Sequence, residues 1–405
     1  MLALACSLLL PTIWIVDAQM GQGAHFADLP AAVEAAASGD TIVLRAGTYT
    51  GVFLSNKELT LRGEGAASTR IVGAFGGVGL TISNTSGPVV LSGLRVQGEP
   101  GVTVSWAQVE LLDCEVASRA TIALSSATSG LLVNSGGIVR ASRCLFFGSS
   151  VDSSISLHAN VFGGPAVRVT GVAPTLVADQ CLLRGGDATG PGPLSQTGGD
   201  ALLVSGRGRL DRCRLRGGSG NDAGGGGVRT LQGCELRIAG DATSYVTGGL
   251  GPAGVGPAIR NPAGTVHLHL AVAVQGAIDG LVTLQHELPR LQVDGIQRAD
   301  GSLEALQPVT VTLNGLAPHA LGFVAFGAPQ FTVPQIPFAT ELLLDEATSF
   351  FLFAPLDAAG MLQFSYTPAA IGGPLVGVPV HLQGGAWNPV FGVLTSNLAV
   401  HIAVP

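Results

Sequence analysis

The sequence has few charged residues, few aromatic rings and almost no lysine. Charged residues make up 12% of the 405 residues, and only one of the 20 basic residues is a lysine. The formal net charge of −7 argues against a general nucleic-acid binder, which needs a basic surface. Three tryptophans and three tyrosines leave little material for an aromatic surface on which sugar rings stack.

The sequence also lacks long hydrophobic runs after residue 18. A hydrophobic content of 47% would suit a membrane protein if those residues were contiguous. Charges, glycines and polar turns instead interrupt every stretch of the roughly 18 residues that a spanning helix needs. We therefore predict no transmembrane segment there, and we assign the apolar excess to buried parallel strands, which are rich in Val, Leu and Ala.

The first residues are predicted to be an export signal. Met1–Val16 is apolar, and Ala18 supplies a small residue at a suitable cleavage point. Residues 1–18 are therefore predicted to be a signal peptide, and the protein to be secreted or held at the cell surface. No lysine or arginine precedes the apolar run, and the alternative is that the run forms a buried first strand.

One ten-residue pattern recurs between Val89 and Gly240. Its seven copies are Val89–Gly98, Val109–Ser118, Val139–Gly148, Ile155–Gly164, Leu176–Gly185, Gly208–Gly217 and Arg229–Ile238. The sixth position is cysteine in five copies, and the eighth is apolar in all of them. Positions two apart share one face of a strand. Such copies, separated by loops of different length, predict the coils of a parallel β-helix, in which equivalent residues stack about 4.8 Å apart.

The repeated cysteines are predicted to form a buried ladder. Its members are Cys114, Cys144, Cys181, Cys213 and Cys234. Cysteines on stacked coils point in parallel, which is poor geometry for a disulfide, so we interpret them as free thiols that pack as small hydrophobes. No C-x-x-C motif or Cys/His cluster occurs, so no metal site is predicted from them.

The segment before the repeat carries a family resemblance. Asp28-Leu29-Pro30 and the alanine-rich Ala31–Ala37 predict a short helix that closes one end of the solenoid. The strand-like segments Gly39–Tyr49 and Leu59–Gly63 follow it. This order resembles the opening coils of the pectin-lyase-like superfamily of right-handed parallel β-helix proteins, especially secreted bacterial β-helix repeat proteins. The resemblance covers residues 26–275 and implies an all-β solenoid.

A second unit is predicted after the solenoid. We place the β-helix at residues 19–276 and an antiparallel β-sandwich-like module at residues 281–405, because Pro, Gly, Phe and short alternating strands dominate there. The predicted strands are Val309–Leu313, Gly322–Phe326, Phe350–Phe353, Leu362–Tyr366, Val376–Leu382 and Leu398–Val404. Such a module would cap the solenoid or attach the protein to a surface.

The candidate ligand site is a stripe of arginines beside two glycine-rich insertions. The insertions Gly185–Asp200 and Gly217–Gly227 both begin at the tenth repeat position, so they should leave the solenoid on the same side. Arg184, Arg216 and Arg237 occupy the ninth position, which faces outward, and Asp187 and Asp222 follow as possible internal partners. Stacked guanidinium groups would suit the carboxylate or sulfate groups of an acidic glycan.

No cofactor is predicted, apart from a weak indication of calcium. Gly217–Ala223 matches the first seven positions of a calcium-binding repeat, but Gly224 stands where a large apolar residue belongs and no second copy follows. A flexible loop is the alternative. His267 and His269 lie two apart on a predicted strand, and with no third ligand nearby we interpret them as surface histidines.

Three classes of function remain open at this point. The pectin-lyase-like superfamily includes pectate lyases and polygalacturonases, but the polygalacturonase signatures Asn-Thr-Asp, Asp-Asp, Gly-His-Gly and Arg-Ile-Lys are all missing. A glycoside hydrolase needs two carboxylates, and Asp179 and Asp211 share the fourth repeat position, which would place them on adjacent coils. The alternative is that these aspartates form solvated ion pairs with Arg184 and Arg212. We therefore favour a non-catalytic secreted or surface protein that binds a polysaccharide or another cell-surface component. The alternatives are a polysaccharide lyase or glycoside hydrolase, and a purely structural or adhesive scaffold.

Overall fold

A computed structural model describes most of the chain. The described residues are 11–119, 127–152, 160–190, 195–269, 271–285, 290–294, 303–304, 307–314, 321–327, 350–367, 379–388 and 392–404. Within them the chain forms one helix and is otherwise built of strands and turns. The predicted all-β class is confirmed.

The solenoid consists of three parallel sheets, which we name A, B and C in the order in which each coil visits them. Sheet A has eleven strands: Ile13–Val16, Thr41–Leu44, Thr60–Gly63, Pro88–Ser92, Gln108–Leu112, Ile138–Ser142, Thr175–Asp179, Arg207–Asp211, Glu235–Ala239, Thr265–His269 and Thr283–Gln285. Sheet B has nine strands: Gly47–Thr50, Thr69–Val72, Arg95–Gly98, Glu115–Ser118, Leu145–Phe147, Leu182–Arg184, Arg214–Arg216, Tyr245–Thr247 and Ala273–Gln275. Sheet C also has nine: Val52–Ser55, Leu80–Ser83, Val102–Ser105, Leu131–Val133, Val167–Val169, Leu202–Val204, Val228–Thr230, Ile259–Asn261 and Ile278–Gly280.

The core of the solenoid is a set of side-chain ladders that run along its axis. One ladder on sheet B joins equivalent positions of successive coils, and each of its members is fully buried. These members are Val96, Val116, Phe146, Leu183, Leu215 and Val246. Because every coil repeats the same alternation, one register serves the whole sheet. The predicted right-handed parallel β-helix is confirmed.

The first strand lies inside the segment that is predicted to be a signal peptide. Ile13–Val16 pairs in parallel with Thr41–Leu44, and Val16 is fully buried. Asp17, directly after the strand, forms an ion pair with Arg45 at 3.0 Å. This arrangement agrees with the alternative interpretation in that a first strand forms, but only Val16 of its four residues is buried. Cleavage after residue 18 stays a prediction, and it would remove this strand from sheet A.

The predicted helix forms beside the first coil, at Leu29–Ala35. The Asp28 carboxylate caps its first turn by accepting a hydrogen bond from the backbone N–H of Ala31. Leu29, Ala32 and Val33 are buried in the solenoid core. The ammonium of Lys57, the only lysine, donates to carbonyl oxygens in and after the last helical turn. One face of the helix therefore extends the core at this end.

The solenoid continues beyond residue 276. Ile278–Gly280 pairs with Ile259–Asn261 in sheet C, and Thr283–Gln285 pairs with the last complete strand of sheet A. The predicted boundary at residues 276–281 therefore falls inside the final coil. The composition changes before the coil pattern ends, and the last coil leaves apolar residues uncovered: Ile278, Leu281 and Leu284 are exposed.

The C-terminal module contains two packed sheets. One has three antiparallel strands, Arg290–Asp294, Val309–Asn314 and Leu362–Tyr366. The other has five, Leu303–Glu304, Gly392–Val404, Pro379–Asn388, Leu321–Gly327 and Phe350–Pro355, of which only the first pair is parallel. Leu291, Val311, Leu313, Val324 and Leu382 form a core separate from that of the solenoid. The predicted antiparallel strands are confirmed within the described residues, and Val376–Val378 of the predicted strand Val376–Leu382 lie outside them.

The module lies over the outer face of sheet A. His381 Nε2 and Glu110 Oε1 lie 2.5 Å apart, joining the module to the middle of the solenoid. Outward-facing side chains of sheet A are consequently buried, including Arg140 at 4% exposed and Arg209 at 7%. The strand Gly392–Val404 also runs close to Thr175–Asp179. In the described residues the module thus contacts the side of the solenoid and leaves sheets B and C open.

Glycine-rich loops connect sheet B to sheet C in successive coils and stack on one another. Main-chain hydrogen bonds of 2.8 Å link them in a chain that runs through Gly164, Gly186, Gly199, Gly218, Gly225 and Gly249. A Cβ atom at any of these positions would overlap a main-chain carbonyl oxygen of a neighbouring segment. Only glycine permits this close approach. We call these six residues the glycine stack; it confirms that the two predicted insertions leave the solenoid on the same side.

One predicted repeat belongs to these loops. In the segment Ile155–Gly164, the strand Asn160–Phe162 pairs with Ser195–Thr197 of the next loop and joins none of the three sheets. The alternating pattern correctly predicts a strand here, but this strand belongs to an insertion and not to a coil of the solenoid. Residues 155–159 of this segment lie outside the described residues.

Candidate functional site

The cysteine ladder has four members on one line of the solenoid. Cys114, Cys144, Cys181 and Cys213 follow sheet A directly, and each thiol donates to the carbonyl oxygen two residues earlier at 3.1 to 3.3 Å. All four are buried and free, as predicted. The residues before them adopt a left-handed backbone, with φ near 50° at Asp113, Arg143, Gln180 and Arg212.

The fifth cysteine lies on a different corner, so its predicted place in the ladder is wrong. Cys234 is buried and free, but it precedes the sheet A strand Glu235–Ala239. The strand that continues sheet B is Tyr245–Thr247, which pairs with Arg214–Arg216. The residue equivalent to Cys213 is therefore the buried Ser244. The seventh copy of the pattern begins at Arg229 in sheet C, whereas the copy before it begins at Gly208 in sheet A.

The same misalignment removes Arg237 from the predicted stripe. Arg237 lies in sheet A, where its neighbours in register are Arg209 and His267. Its guanidinium forms an ion pair with Glu235 at 3.4 Å. The position on sheet B that the prediction gave to Arg237 is occupied by Thr247, which pairs in register with Arg216.

The other two arginines do stack, and a third lies beside them. Arg184 and Arg216 are register partners on adjacent strands of sheet B. Arg214, two residues before Arg216, faces the same side, and all three are exposed. We call Arg184, Arg214 and Arg216 the arginine cluster. The ninth repeat position does not include Arg214, which stands at the seventh position and faces outward by the same alternation.

Apolar and aromatic side chains border the arginine cluster along sheet B. Phe147 precedes Arg184 in register, and Leu182 precedes Arg214. Tyr245 follows Arg214 on the next coil and is half-buried. The outer face of sheet B therefore presents three cations within a patch of otherwise uncharged side chains.

The cluster is only partly neutralised by carboxylates. Arg184 forms an ion pair with Asp187 at 2.9 Å, as the sequence predicted for this pair. Neither Arg214 nor Arg216 has an ion pair or a side-chain hydrogen bond to any residue that the structure describes. Two guanidinium groups thus keep all their donors for solvent or a ligand.

The two aspartates serve mainly to hold the loops. Asp187 also accepts a hydrogen bond from the backbone N–H of Ser219 in the next loop, at 2.7 Å. Asp222 accepts one from the backbone N–H of Gln196 at 2.6 Å and forms no ion pair with Arg216 among the described residues. Each carboxylate ties one glycine-rich loop to another, so these residues support the cluster and do not enlarge it.

Sheet C carries a more dispersed set of arginines. Arg168, Arg229 and Arg260 face outward and are exposed, but Leu203 separates Arg168 from Arg229. Arg229 forms an ion pair with Asp200 at 3.4 Å. Sheet C thus offers the same number of cations as the arginine cluster, and one arginine is ion-paired in each set, but Leu203 separates Arg168 from the other two.

The two aspartates considered for hydrolysis are adjacent but covered. Asp179 and Asp211 are register partners on sheet A, and both are buried. Both Asp179 oxygens accept hydrogen bonds from Arg212, at 3.0 and 2.6 Å. Burial raises the pKa of Asp179 to about 7, although the Arg212 guanidinium opposes that shift. The pair forms part of the packed surface near the C-terminal module.

The described residues hold no group of three or more His, Cys, Asp or Glu placed to bind a metal ion. His269 is buried, contrary to the surface position predicted for it, and its Nδ1 accepts from the backbone N–H of Ala271. In the part of the chain that the structure covers, no helix is long and apolar enough to cross a bilayer.

No protein-family model matches the chain, and no curated protein matches it. Among solved structures, the chain is similar to the pectin methylesterase of Aspergillus niger, with 13% identity and a TM-score of 0.36 over 65% of this chain and 85% of the other. The pectin methylesterase of Erwinia chrysanthemi gives 9% identity and a TM-score of 0.35 over 67% and 92%. The enzymatically active domain of tailspike protein 4 from bacteriophage CBA120 gives 10% and 0.28 over 90% and 64%. These likenesses concern architecture and assign no activity to this chain.

Proposed function

We propose that the protein is a secreted or cell-surface binder of acidic polysaccharide, and that the arginine cluster on sheet B is its ligand site. The observation that carries this proposal is the placement of three exposed guanidinium groups on two adjacent strands, two of them without a carboxylate partner among the described residues. A planar guanidinium can donate two parallel hydrogen bonds to a carboxylate or sulfate.

The spacing of the cluster suits a repeating anion. Arg184 and Arg216 are separated by one coil, about 4.8 Å, and Arg214 and Arg216 by two residues of a strand, about 6.6 Å. An extended chain with an acidic group on successive sugars would therefore contact more than one arginine at once. Exposed charge pairs are screened by salt, so the binding should weaken as ionic strength rises.

The uncharged border supports the same proposal. Tyr245 and Leu182 flank Arg214 in register and offer apolar surface beside the cations. Sugars have both polar edges and apolar faces, so a site for an acidic glycan gains from both kinds of contact. A rigid sheet also holds the side chains without a cost for ordering a loop.

The test compares two triple variants with equal loss of charge. Wild-type protein should be retained on polygalacturonate or dextran sulfate beads at low salt and released as salt rises, with no retention on uncharged dextran. Replacing Arg184, Arg214 and Arg216 by Ala should abolish this retention without changing the melting temperature. The matched control variant replaces Arg168, Arg229 and Arg260 on sheet C by Ala. Most of this variant should still be retained on the acidic beads.

Three results would contradict the proposal. Passage of wild-type protein through both acidic matrices at low salt would leave a structural scaffold as the better interpretation. Equal loss in both triple variants would mean that net charge, and no particular site, drives retention. New reducing or unsaturated ends in the polysaccharide would instead favour a hydrolase or lyase.

A further inference from the structure

We infer that Trp106 is the centre of a second binding site, which takes the apolar face of a neutral pyranose sugar. Trp106 lies at the corner between sheets C and A, so it is separate from the arginine cluster on sheet B. It is 59% exposed. The inference does not depend on the proposed binding of acidic polysaccharide.

The backbone at Trp106 is unusual for such a large residue. Its φ angle is +50°, in the left-handed region that bulky side chains rarely adopt. The preceding coils place Asn56 and Asn84 at the equivalent corner position, with φ of 56° and 54°. Asparagine tolerates this conformation because its short polar side chain bonds locally. Tryptophan has no such compensation, and its exposed ring adds little to the core, so stability does not account for it.

The next coil is shaped to receive the ring. The six-membered ring of the indole lies against Gly136, where a Cβ atom would overlap ring carbons. The φ angle of Gly136 is +65°, and its N–H donates to the carbonyl oxygen of Val172. The six-membered ring of the indole thus contacts main chain, while the exposed fraction of Trp106 shows that much of the side chain remains open to solvent.

Hydrogen-bonding groups accompany the ring on the adjacent coil. Asn84 is exposed, and its side-chain amide makes no hydrogen bond to a described residue. Its backbone N–H donates to Ser105, directly before Trp106, which fixes the two residues on neighbouring coils. A fixed indole gives an apolar surface for the C–H face of a pyranose, and the amide can both donate to and accept from the sugar hydroxyls.

The ligand class follows from this combination of groups. No carboxylate or cation belongs to the set formed by Trp106, Gly136 and Asn84, so the site favours an uncharged sugar. The sequence-based expectation that three tryptophans and three tyrosines leave little material for a sugar-stacking surface is therefore revised for this one residue. The sequence does not reveal the left-handed backbone at this corner, which places the Trp106 side chain at the surface.

Calorimetric titration with neutral oligosaccharides tests the inference. The probes are hexasaccharides of β-linked glucose, xylose, mannose and N-acetylglucosamine, and wild-type protein should bind at least one of them. Trp106→Ala should weaken that binding by about tenfold or more, the loss expected for a stacked ring. Trp106→Phe, which keeps a smaller ring, should fall between the two, and Asn84→Ala should weaken binding by a few fold.

The controls separate this site from general effects. Phe75 is 74% exposed on a loop between sheets B and C, so Phe75→Ala removes a similar exposed aromatic ring and should leave binding unchanged. The arginine-cluster triple variant should also bind the neutral sugar as wild type does, so each proposal can fail without the other. Binding of none of the four probes by wild-type protein, or unaltered binding by a folded Trp106→Ala variant, would overturn the inference.

Discussion

Sheets A and B both carry outward-facing arginines, and the two sets differ in what lies above them. Arg209 and Arg214 are on the same coil, five positions apart in sequence. Arg209 is 7% exposed because the C-terminal module covers sheet A, whereas Arg214 is exposed on the open face of sheet B. An arginine side chain is therefore enclosed between the solenoid and the module at Arg209 and remains available to a ligand at Arg214.

The comparison shows that alternation along a strand decides only which way a side chain points. In a solenoid without a second module, a side chain that points outward would be exposed to solvent. Here Glu110, Arg140 and Arg209 point outward and are nonetheless buried. Buried charges of this kind need partners, and Glu110 has His381 of the module. Function must therefore be sought on the faces that the module leaves open.

The largest expected effect comes from breaking the buried contact at the corner between the two sheets. Replacing Arg212 by Ala leaves the buried Asp179 carboxylate without both of its hydrogen bonds. The free energy of unfolding should fall by about 3 kcal/mol, as for other broken buried pairs. Arg214→Ala, two residues away, should change it by less than about 0.5 kcal/mol. Chemical denaturation of both variants provides the measurement.

The loss in the Arg212→Ala variant should depend on pH. Burial raises the pKa of Asp179 to about 7 in the folded protein, above its ordinary value when unfolded. A raised acid pKa means that the folded state holds the proton more tightly, so stability falls as pH rises through the folded pKa. Without Arg212 that pKa rises further, so the loss should be greater at pH 8 than at pH 5. Equal losses at both pH values would contradict this explanation.

A smaller effect is expected from weakening the module's contact with sheet A. His381→Ala leaves the Glu110 carboxylate buried without its partner, which should cost about 1 to 3 kcal/mol. Limited proteolysis should then cut the module more readily, and backbone amides of Gln108–Leu112 should exchange faster. Gln363→Ala, an exposed change on the strand Leu362–Tyr366 of the module, is the control. An unchanged proteolysis pattern would argue that other contacts hold the module in place.

The sequence predicts those parts of the fold whose residue pattern is repeated in every coil. The buried ladder from Val96 to Val246 follows from a two-residue alternation repeated many times, so one error does not disturb the rest. The helix at Leu29–Ala35 follows from the local cap at Asp28. Both signals lie within a few residues of the structure they specify.

The errors arise where a turn changes length. After the sheet A strand that ends at Ala239, a turn closed by hydrogen bonds to Asp241 delays the next strand until Tyr245. Gly233 and Cys234 meanwhile reproduce the left-handed residue and cysteine of the true corner, with φ of 75° at Gly233. The ten-residue pattern therefore fits this corner as well, and it assigns Arg237 to sheet B although the residue lies in sheet A.

Long-range contacts could not be predicted from such patterns. Nothing local distinguishes Glu110 or Arg140 from an exposed residue, because their burial depends on His381 and its neighbours far along the chain. The reverse holds for Arg214, whose exposure depends on sheet B remaining uncovered. The position of the module is thus the fact that separates structural arginines from candidate binding arginines.

The most direct test of that separation is arginine-specific chemical modification of the folded protein, read out by peptide mapping with and without polygalacturonate. Arg214 and Arg216 should react rapidly and be protected by the polysaccharide, while Arg140 and Arg209 should react only after denaturation. If Arg140 and Arg209 react as fast as Arg214 and Arg216, or if polygalacturonate protects neither residue of sheet B, the assignment of a covered face and an open binding face is wrong.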